Sequence, residues 1–232
     1  KNLFEKDFLE GNLIRNGISG KFSYNKITNL NAGKKLVDSF SNLLQNDFNA
    51  IVYNFVDMLS HARTDMEVIR ELASDEAAYR SLTLSWFEHS SLLDIFKLIA
   101  DNGYDVIITT DHGTVRVDEP SKVVGDRNTN TNLRYKQGKN LSYVKRDVFE
   151  VKRPEEAFLP QLNVSSTYIF AQDTKFFVYP NNYNHYMNYY KDTFQHGGIS
   201  LEEVIIPIIK MSSKTTKKKE APKNNKYDRY KR

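Results

Sequence analysis

Apolar and polar positions in the first half of the chain alternate between helical and strand periods. The opening residues have helical spacing that ends at Gly17 and Gly20, and residues 21–27 (KFSYNKI) alternate as a strand does. Residues 31–47 return to helical spacing. Residues 49–57 (NAIVYNFVD) form a nearly continuous apolar run, which is typical of a strand covered on both faces. The pattern predicts a strand–helix–strand unit.

The same rhythm continues through the middle of the chain. The long polar-amphipathic stretch 60–102 predicts helices that end at Asn102-Gly103, and the apolar run YDVIITTD (104–111) predicts a second buried strand. Strands that alternate with helices indicate an α/β fold in which a mainly parallel sheet is flanked by helices.

The pattern changes after residue 118. Residues 118–142 are rich in Asn, Gly, Thr and basic residues, which indicates a long exposed loop. Short strands are expected beyond it, the last one interrupted by Pro207: 142–151, 166–172, 175–180 and 202–211.

Charge is concentrated at the end of the chain. Residues 211–232 carry nine Lys or Arg and two Asp or Glu, so the net charge of +4 conceals a body with a net charge of −3. The basic pI is therefore no argument for a nucleic-acid-binding face. We expect one domain over 1–212 and a basic disordered tail over 213–232. No apolar run approaches the roughly 18 residues that a membrane span needs.

Five residues that bind metals in proteins stand near predicted strand ends. Asp57 closes the first long apolar run and His61 follows four residues later, so a helix there would place both on one face. Asp111 and His112 close the second apolar run. His196 stands in FQHGGIS, where two glycines let the backbone pass close to a ligand. Ligands of open α/β sheets bind at the carboxyl ends of the strands, where two of these groups fall.

The chain has no cysteine, so its metal ligands must be nitrogen and oxygen atoms. Two Asp and three His suit Zn²⁺, Mn²⁺ or Fe²⁺ better than Ca²⁺. Five ligands exceed what one tetrahedral ion takes, and two ions in one crevice suit in-line displacement at phosphorus. Each motif alone is also compatible with an ordinary surface hydrogen bond, so the hypothesis depends on the combination.

The segments NFVDMLSHAR, IITTDHGT and FQHGGISLEEVIIP, in this order, resemble the alkaline phosphatase superfamily in the variant called the PglZ domain. The resemblance runs from about Phe4 to Lys210. It is closest to the PglZ domain of PorX-type response regulators of the Bacteroidetes, which regulate the type IX secretion system.

The resemblance implies a two-zinc site, with Mn²⁺ as an alternative ion. Asp57, His61 and His196 would bind one ion, and Asp111 and His112 the other. It also implies an upstream Asp and a Thr nucleophile, and residues 1–50 contain no strand with that pattern. The expectation is a domain that is incomplete at its N-terminus, has its nucleophile upstream of Lys1, and is inactive in isolation.

The implied function is that of a cytoplasmic phosphodiesterase effector domain in a two-component response regulator. Its substrates would be cyclic or short linear oligonucleotides. Its partners in the parent protein would be an upstream receiver domain and a cognate histidine kinase, with secretion or transcription proteins beyond them. The alternative is a non-catalytic regulatory module that uses the metal structurally and binds protein partners of secretion control.

Three cations in the predicted loop are candidates for holding a substrate phosphate: Arg127, Arg134 and Lys136. A solvated basic loop is the other interpretation. Three tyrosines at helical spacing before His196 favour helix packing over base stacking: Tyr183, Tyr186 and Tyr190. Ser200 and Glu203 have the spacing of a capping box.

Overall fold

Helices dominate the first hundred residues. The computed structural model describes residues 4–161 and 163–214. The α-helices in this part are α1 (Glu5–Arg15), α2 (Leu30–Asp38), α3 (Phe55–Asp65), α4 (Glu67–Leu72), α5 (Glu76–Glu88) and α6 (Ser91–Asp101), with a 3-10 helix over Phe40–Gln45. The helical prediction for 60–102 is therefore confirmed.

Strands β1 (Phe22–Ile27) and β2 (Phe48–Tyr53) are parallel neighbours, and α2 connects them. The Asn29 side chain caps α2 by accepting a hydrogen bond from the Ala32 amide at 2.9 Å. Leu36 of α2 packs with Ile27 and with Ile95 of α6 in one buried apolar cluster. The predicted strand–helix–strand unit is confirmed.

Short strands dominate the rest of the described chain. They are β3 (Val106–Thr109), β4 (Val115–Val117), β5 (Glu119–Val124), β6 (Tyr135–Gly138), β7 (Ser142–Tyr143), β8 (Val148–Val151), β9 (Thr167–Ala171), β10 (Lys175–Val178), β11 (Thr193–Gln195) and β12 (Ile208–Met211). Helices α7 (Tyr183–Tyr190) and α8 (Leu201–Val204) lie among them, with 3-10 helices at Lys145–Asp147 and Pro154–Ala157.

Strand pairing differs from the expected mainly parallel sheet. The described strands form small mixed sheets in which β1–β2 and β5–β10 are parallel. The pairs β3–β12, β4–β11, β5–β7, β6–β9 and β8–β9 are antiparallel. The second predicted strand thus pairs with the last one. The chain passes from β11 through the short helix α8 and Pro207 to β12, which runs antiparallel to β3.

The prediction of one long exposed loop over 118–142 is wrong, because β5 and β6 lie within it. Their inward positions include Ser121 on β5 and Lys136 and Gly138 on β6. Polar residues at buried positions produce no apolar periodicity, so these strands leave no such signal in the sequence.

Three predicted strands are shorter than expected because each contains a helical segment. The run 49–57 divides into β2 and the start of α3, the run 142–151 into β7, a 3-10 helix and β8, and the run 202–211 into α8 and β12. Ser200 and Glu203 form the predicted capping box at α8. No helix in the described ranges is long and apolar enough to cross a membrane. The predicted tail lies outside the described residues from 215 onward.

Candidate metal centre

Helix α3 places the first pair of candidate ligands. Asp57 lies in its first turn and His61 one turn later, with Nε2 of His61 3.5 Å from Oδ1 of Asp57. The predicted placement of the two side chains on one helix face is confirmed.

Arg63 fixes α3 against the segment that leads to His196. Its buried guanidinium donates to the carbonyl oxygens of Asp192 at 2.6 Å and Ser74 at 3.1 Å, and lies 5.0 Å from the ring centroid of Phe194. Phe194 belongs to β11, and His196 follows that strand directly. The helix that carries Asp57 is therefore held beside the loop that carries His196.

Antiparallel pairing of β4 with β11 brings the second and third candidate segments together. Val115 lies opposite Gln195, so His112, just before β4, comes beside His196, just after β11. The two imidazole rings stack with centroids 3.9 Å apart. Nδ1 of His112 lies 3.0 Å from the carbonyl oxygen of Gly113. In the neutral ring, a proton on Nδ1 would make this hydrogen bond, which would leave the lone pair of Nε2 for a ligand.

Asp57, His112 and His196 form a cluster with the geometry of a metal centre. One donor atom from each lies within 4.8 Å of the other two. Nε2 of His196 is 3.6 Å from Oδ1 of Asp57. Ligand atoms around tetrahedral zinc, with bonds of about 2.1 Å, are separated by roughly 3.4 Å. The donor types and their spacing therefore fit a divalent cation held by nitrogen and oxygen.

The remaining two candidates flank this cluster. His61 approaches it through Asp57, and Oδ1 of Asp111 lies 3.7 Å from Nε2 of His112. The Asp111 side chain is 83% exposed and lines an open cleft of about 300 Å³ together with His112 and His196. All five predicted ligands thus occur in one continuous patch, and the closest three combine residues that the resemblance divides between two ions.

Comparison with known protein families identifies the family of this chain. The family model described as the BREX system PglZ alkaline phosphatase-like domain matches residues 4–211, which is most of the chain. The chain belongs to the PglZ family. The match confirms the alkaline-phosphatase-like assignment and points to the hydrolase class, and superfamily members usually bind metals. No curated protein matches the chain.

Electrostatics at the centre of this PglZ domain favour an uncharged imidazole. Burial lowers the pKa of His196, and repulsion by His112 lowers it further, against an opposing attraction from Asp57. Metal binding requires the neutral ring, so the environment holds His196 in the form that a cation needs.

Two of the three predicted phosphate-binding cations are buried in the interior of the PglZ domain and do not face solvent. Arg134 is 0% exposed and donates through Nε and a terminal nitrogen to the two carboxylate oxygens of Glu203, at 3.1 and 2.9 Å. Lys136 is 1% exposed, and its Nζ donates to the Asn130 carbonyl at 3.0 Å. Burial lowers the pKa of Lys136 to about 8. Arg127 lies in an exposed turn.

Two threonines close to the ligands are engaged by main-chain carbonyls. Thr109 Oγ1 donates to Pro207 at 2.9 Å and Thr110 Oγ1 donates to His112 at 3.0 Å. These bonds support the Asp111-His112 turn. Neither hydroxyl is oriented by these bonds as an attacking group.

Glu203 and Asn132 belong to the site, although sequence reasoning did not identify either as part of it. The spacing of Glu203 from Ser200 predicts a helix cap, and in the structure Glu203 also lines the cleft beside His196. Asn132 Nδ2 donates to the His196 carbonyl at 3.2 Å. The sequence signal for Glu203 is its position shortly after the His196-Gly197-Gly198 segment.

Proposed function

We propose that this PglZ domain binds divalent cations at the Asp57–His112–His196 cluster and, in its parent protein, hydrolyses phosphodiester bonds. The observation that supports the proposal is the convergence of three donor atoms within 4.8 Å from three separate parts of the chain. Unmatched carboxylates and imidazoles are costly to bring together, and a bound cation offsets that cost.

The proposal includes two zinc ions, with manganese as the alternative. His61 would coordinate the first ion together with Asp57 and His196. Asp111 and His112 would coordinate the second ion. Bound cations would supply Lewis-acid stabilisation of the charge that develops on the phosphate oxygens. A Thr nucleophile, which the family resemblance implies, is also part of the proposal.

The chain's own residues would orient the substrate. Arg127 is exposed in a turn, so its guanidinium is open to a phosphate that arrives from solvent. Arg134 and Lys136, proposed for the same role from sequence, have donors already bonded to protein oxygens. We therefore assign substrate contact to Arg127 and a supporting role to the other two.

The proposed substrates are cyclic or short linear oligonucleotides, and the proposed context is a cytoplasmic two-component response regulator. Support for this context comes from the resemblance of the three motifs to PorX-type regulators of the Bacteroidetes type IX secretion system. In that setting an upstream receiver domain and its histidine kinase would control the PglZ domain, and secretion or transcription proteins would be further partners.

A regulatory module that keeps the metal for structure is the second candidate. It is favoured by the convergence of donor atoms from Asp57, His112 and His196 at one point, which suits a single ion held for structure. In this case the domain would act through protein partners of secretion control.

Metal titration of the domain tests the first part of the proposal. We expect zinc to bind, and Asp57→Asn to weaken binding at least about 100-fold, the upper end of what loss of a supporting residue costs. The control is His89→Ala, an exposed histidine whose ring contacts Ser85. Equal zinc affinity in the wild type and Asp57→Asn would contradict the site.

Turnover of a cyclic dinucleotide by the full-length parent separates the two candidates. The enzyme proposal expects hydrolysis that falls when Asp111 or His112 is replaced by alanine. The regulatory module would be supported by tight metal binding together with no hydrolysis of cyclic or linear dinucleotides above background. That background would be the same in the wild type and in the two alanine variants.

A further inference from the structure

We propose that Arg134 and Glu203 are positioning residues whose buried ion pair sets the separation of the His112 and His196 loops, and with it the affinity for metal. The inference rests on the proposed metal site. Arg134 and Glu203 are fully buried beside the cleft that these loops line.

The Glu203 carboxylate anchors the loop that follows His196. One oxygen accepts from the Gly198 amide at 2.8 Å, and the other accepts from the Ser200 amide at 3.1 Å and the Ser200 hydroxyl at 2.9 Å. Arg134 donates to both oxygens. The carboxylate is therefore held by five hydrogen bonds, and three of them fix residues two to four positions beyond a ligand.

The same residue also holds the His112 loop. The Glu203 carbonyl accepts from the Gly113 amide at 2.9 Å. A Cβ at Gly113 would overlap the carbonyl oxygen of Glu202, so the loop lies directly against this backbone. Main chain and side chain of Glu203 thus contact different histidine loops.

The segment just before β6, which carries Arg134, reaches the His196 loop by a second route. The Asn132 side-chain oxygen accepts from the Arg134 amide at 2.7 Å, and its nitrogen donates to the His196 carbonyl. The Arg134 guanidinium also donates to the Lys175 carbonyl of β10. Movement of Arg134 would therefore shift the backbone of His196 itself.

The Arg134–Glu203 ion pair contributes more to the position of the His196 loop than to the stability of the fold. Burial by itself raises the pKa of Glu203, but hydrogen bonds and attraction from Arg134, with the Gly198 and Ser200 bonds, lower it overall. Well-packed apolar residues can replace a buried ion pair without loss of stability. They cannot accept the amide hydrogen bonds of Gly198 and Ser200.

The double variant Arg134→Met/Glu203→Leu separates positioning from stability. We expect it to stay folded while zinc affinity falls by about 10- to 100-fold, the range for residues that orient metal ligands. The measurement is zinc titration against a chromophoric chelator, with Co²⁺ absorption as a report on coordination geometry. The matched control, Lys26→Met/Glu5→Leu, removes the ion pair that joins α1 to β1 and should leave the zinc affinity unchanged.

The outcomes are distinguishable. If the wild type binds no zinc, the proposed metal site fails. If the wild type binds zinc and the folded double variant binds it equally well with an unchanged Co²⁺ spectrum, the positioning role is wrong. If the double variant does not fold, Arg134→Lys decides: it keeps the charge but loses the two-pronged geometry, so its zinc affinity should fall, and an unchanged affinity would overturn the proposal.

Discussion

Two imidazole rings in contact define the chemistry of the site at the scale of single residues. His112 and His196 stack at 3.9 Å, and burial together with repulsion by His112 lowers the pKa of His196. The Asp57 carboxylate attracts a proton to His196 and so opposes this lowering of the pKa. Its Oδ1 lies near the Nε2 atoms of both His196 and His61. The arrangement favours a neutral His196 nitrogen beside the Asp57 carboxylate, and nitrogen and carboxylate oxygen are donors that bind a divalent cation.

A buried lysine gives a pH-dependent test at the same scale. The pKa of Lys136 is about 8 in the folded protein and 10.5 for an unperturbed lysine, because burial disfavours the charged form. The unfolded chain therefore binds more protons between these values, so the free energy of unfolding rises from pH 8 to pH 10.5. Below pH 8 the whole cost of charging Lys136 is present.

Lys136→Met should therefore stabilise the protein by about 2 kcal/mol at pH 7, net of the lost Asn130 hydrogen bond. The gain should shrink as pH rises from 8 to 10.5. Urea denaturation at several pH values measures both effects, and Lys139→Met, at an exposed position on the same segment, is the control. If the difference in unfolding free energy between Lys136→Met and the wild type did not change with pH, the proposed cost of burying a charged Lys136 would be wrong.

Short elements set the geometry at the next scale. The three-residue strands β4 and β11 determine how near His112 lies to His196, and α8 returns the chain so that Glu203 reaches Gly113. These elements have few hydrogen bonds of their own. Their position depends on close backbone contacts that tolerate little change.

Gly113→Ala tests one such contact. The new Cβ would overlap a backbone oxygen, so we expect a loss of about 1–3 kcal/mol in unfolding free energy and weaker zinc binding. Gly11→Ala is the matched control, because Gly11 is in the interior of α1 with no atom within 4 Å of a new Cβ. That change should stabilise the protein by about 0.5–1 kcal/mol. If Gly113→Ala had the same urea midpoint and the same zinc affinity as the wild type, the close contact between Gly113 and the Glu202 carbonyl would not matter for either property.

At the scale of the whole molecule, the metal cluster joins parts of the chain that otherwise have separate cores. Asp57 extends from the helical first half, whose core contains Ile27 and Ile95. His112 and His196 flank the strands whose core contains Val117 and Phe176. A cation bound by all three residues would link the two parts.

Zinc should therefore raise the melting temperature. At a free concentration 100 times the dissociation constant, binding adds about 2.7 kcal/mol of stability. For a chain of this size that corresponds to roughly 5–10 °C. Differential scanning fluorimetry with zinc and then with a chelator measures the shift. Asp57→Asn should show little of it, and an equal shift in both proteins would place the binding elsewhere.

Local patterns in the sequence determined the helices, the first strand–helix–strand unit and the residues that are candidates for the site. Asp57 and His61 share a helix face because four residues make one turn, and Ser200 and Glu203 form a capping box for an equally local reason. The order of the three motifs was sufficient to indicate the family that the match over 4–211 confirms.

Tertiary structure alone decided which of these residues meet. Periodicity shows that a segment is a strand but not which strand it pairs with, so the antiparallel pairing of β3 with β12 was not predictable from it. The burial of Arg134 and Lys136 depends on distant partners, Glu203 for one and the environment of β6 for the other. The closeness of Asp57, His112 and His196 has the same origin, because contacts between segments far apart in the chain bring them together.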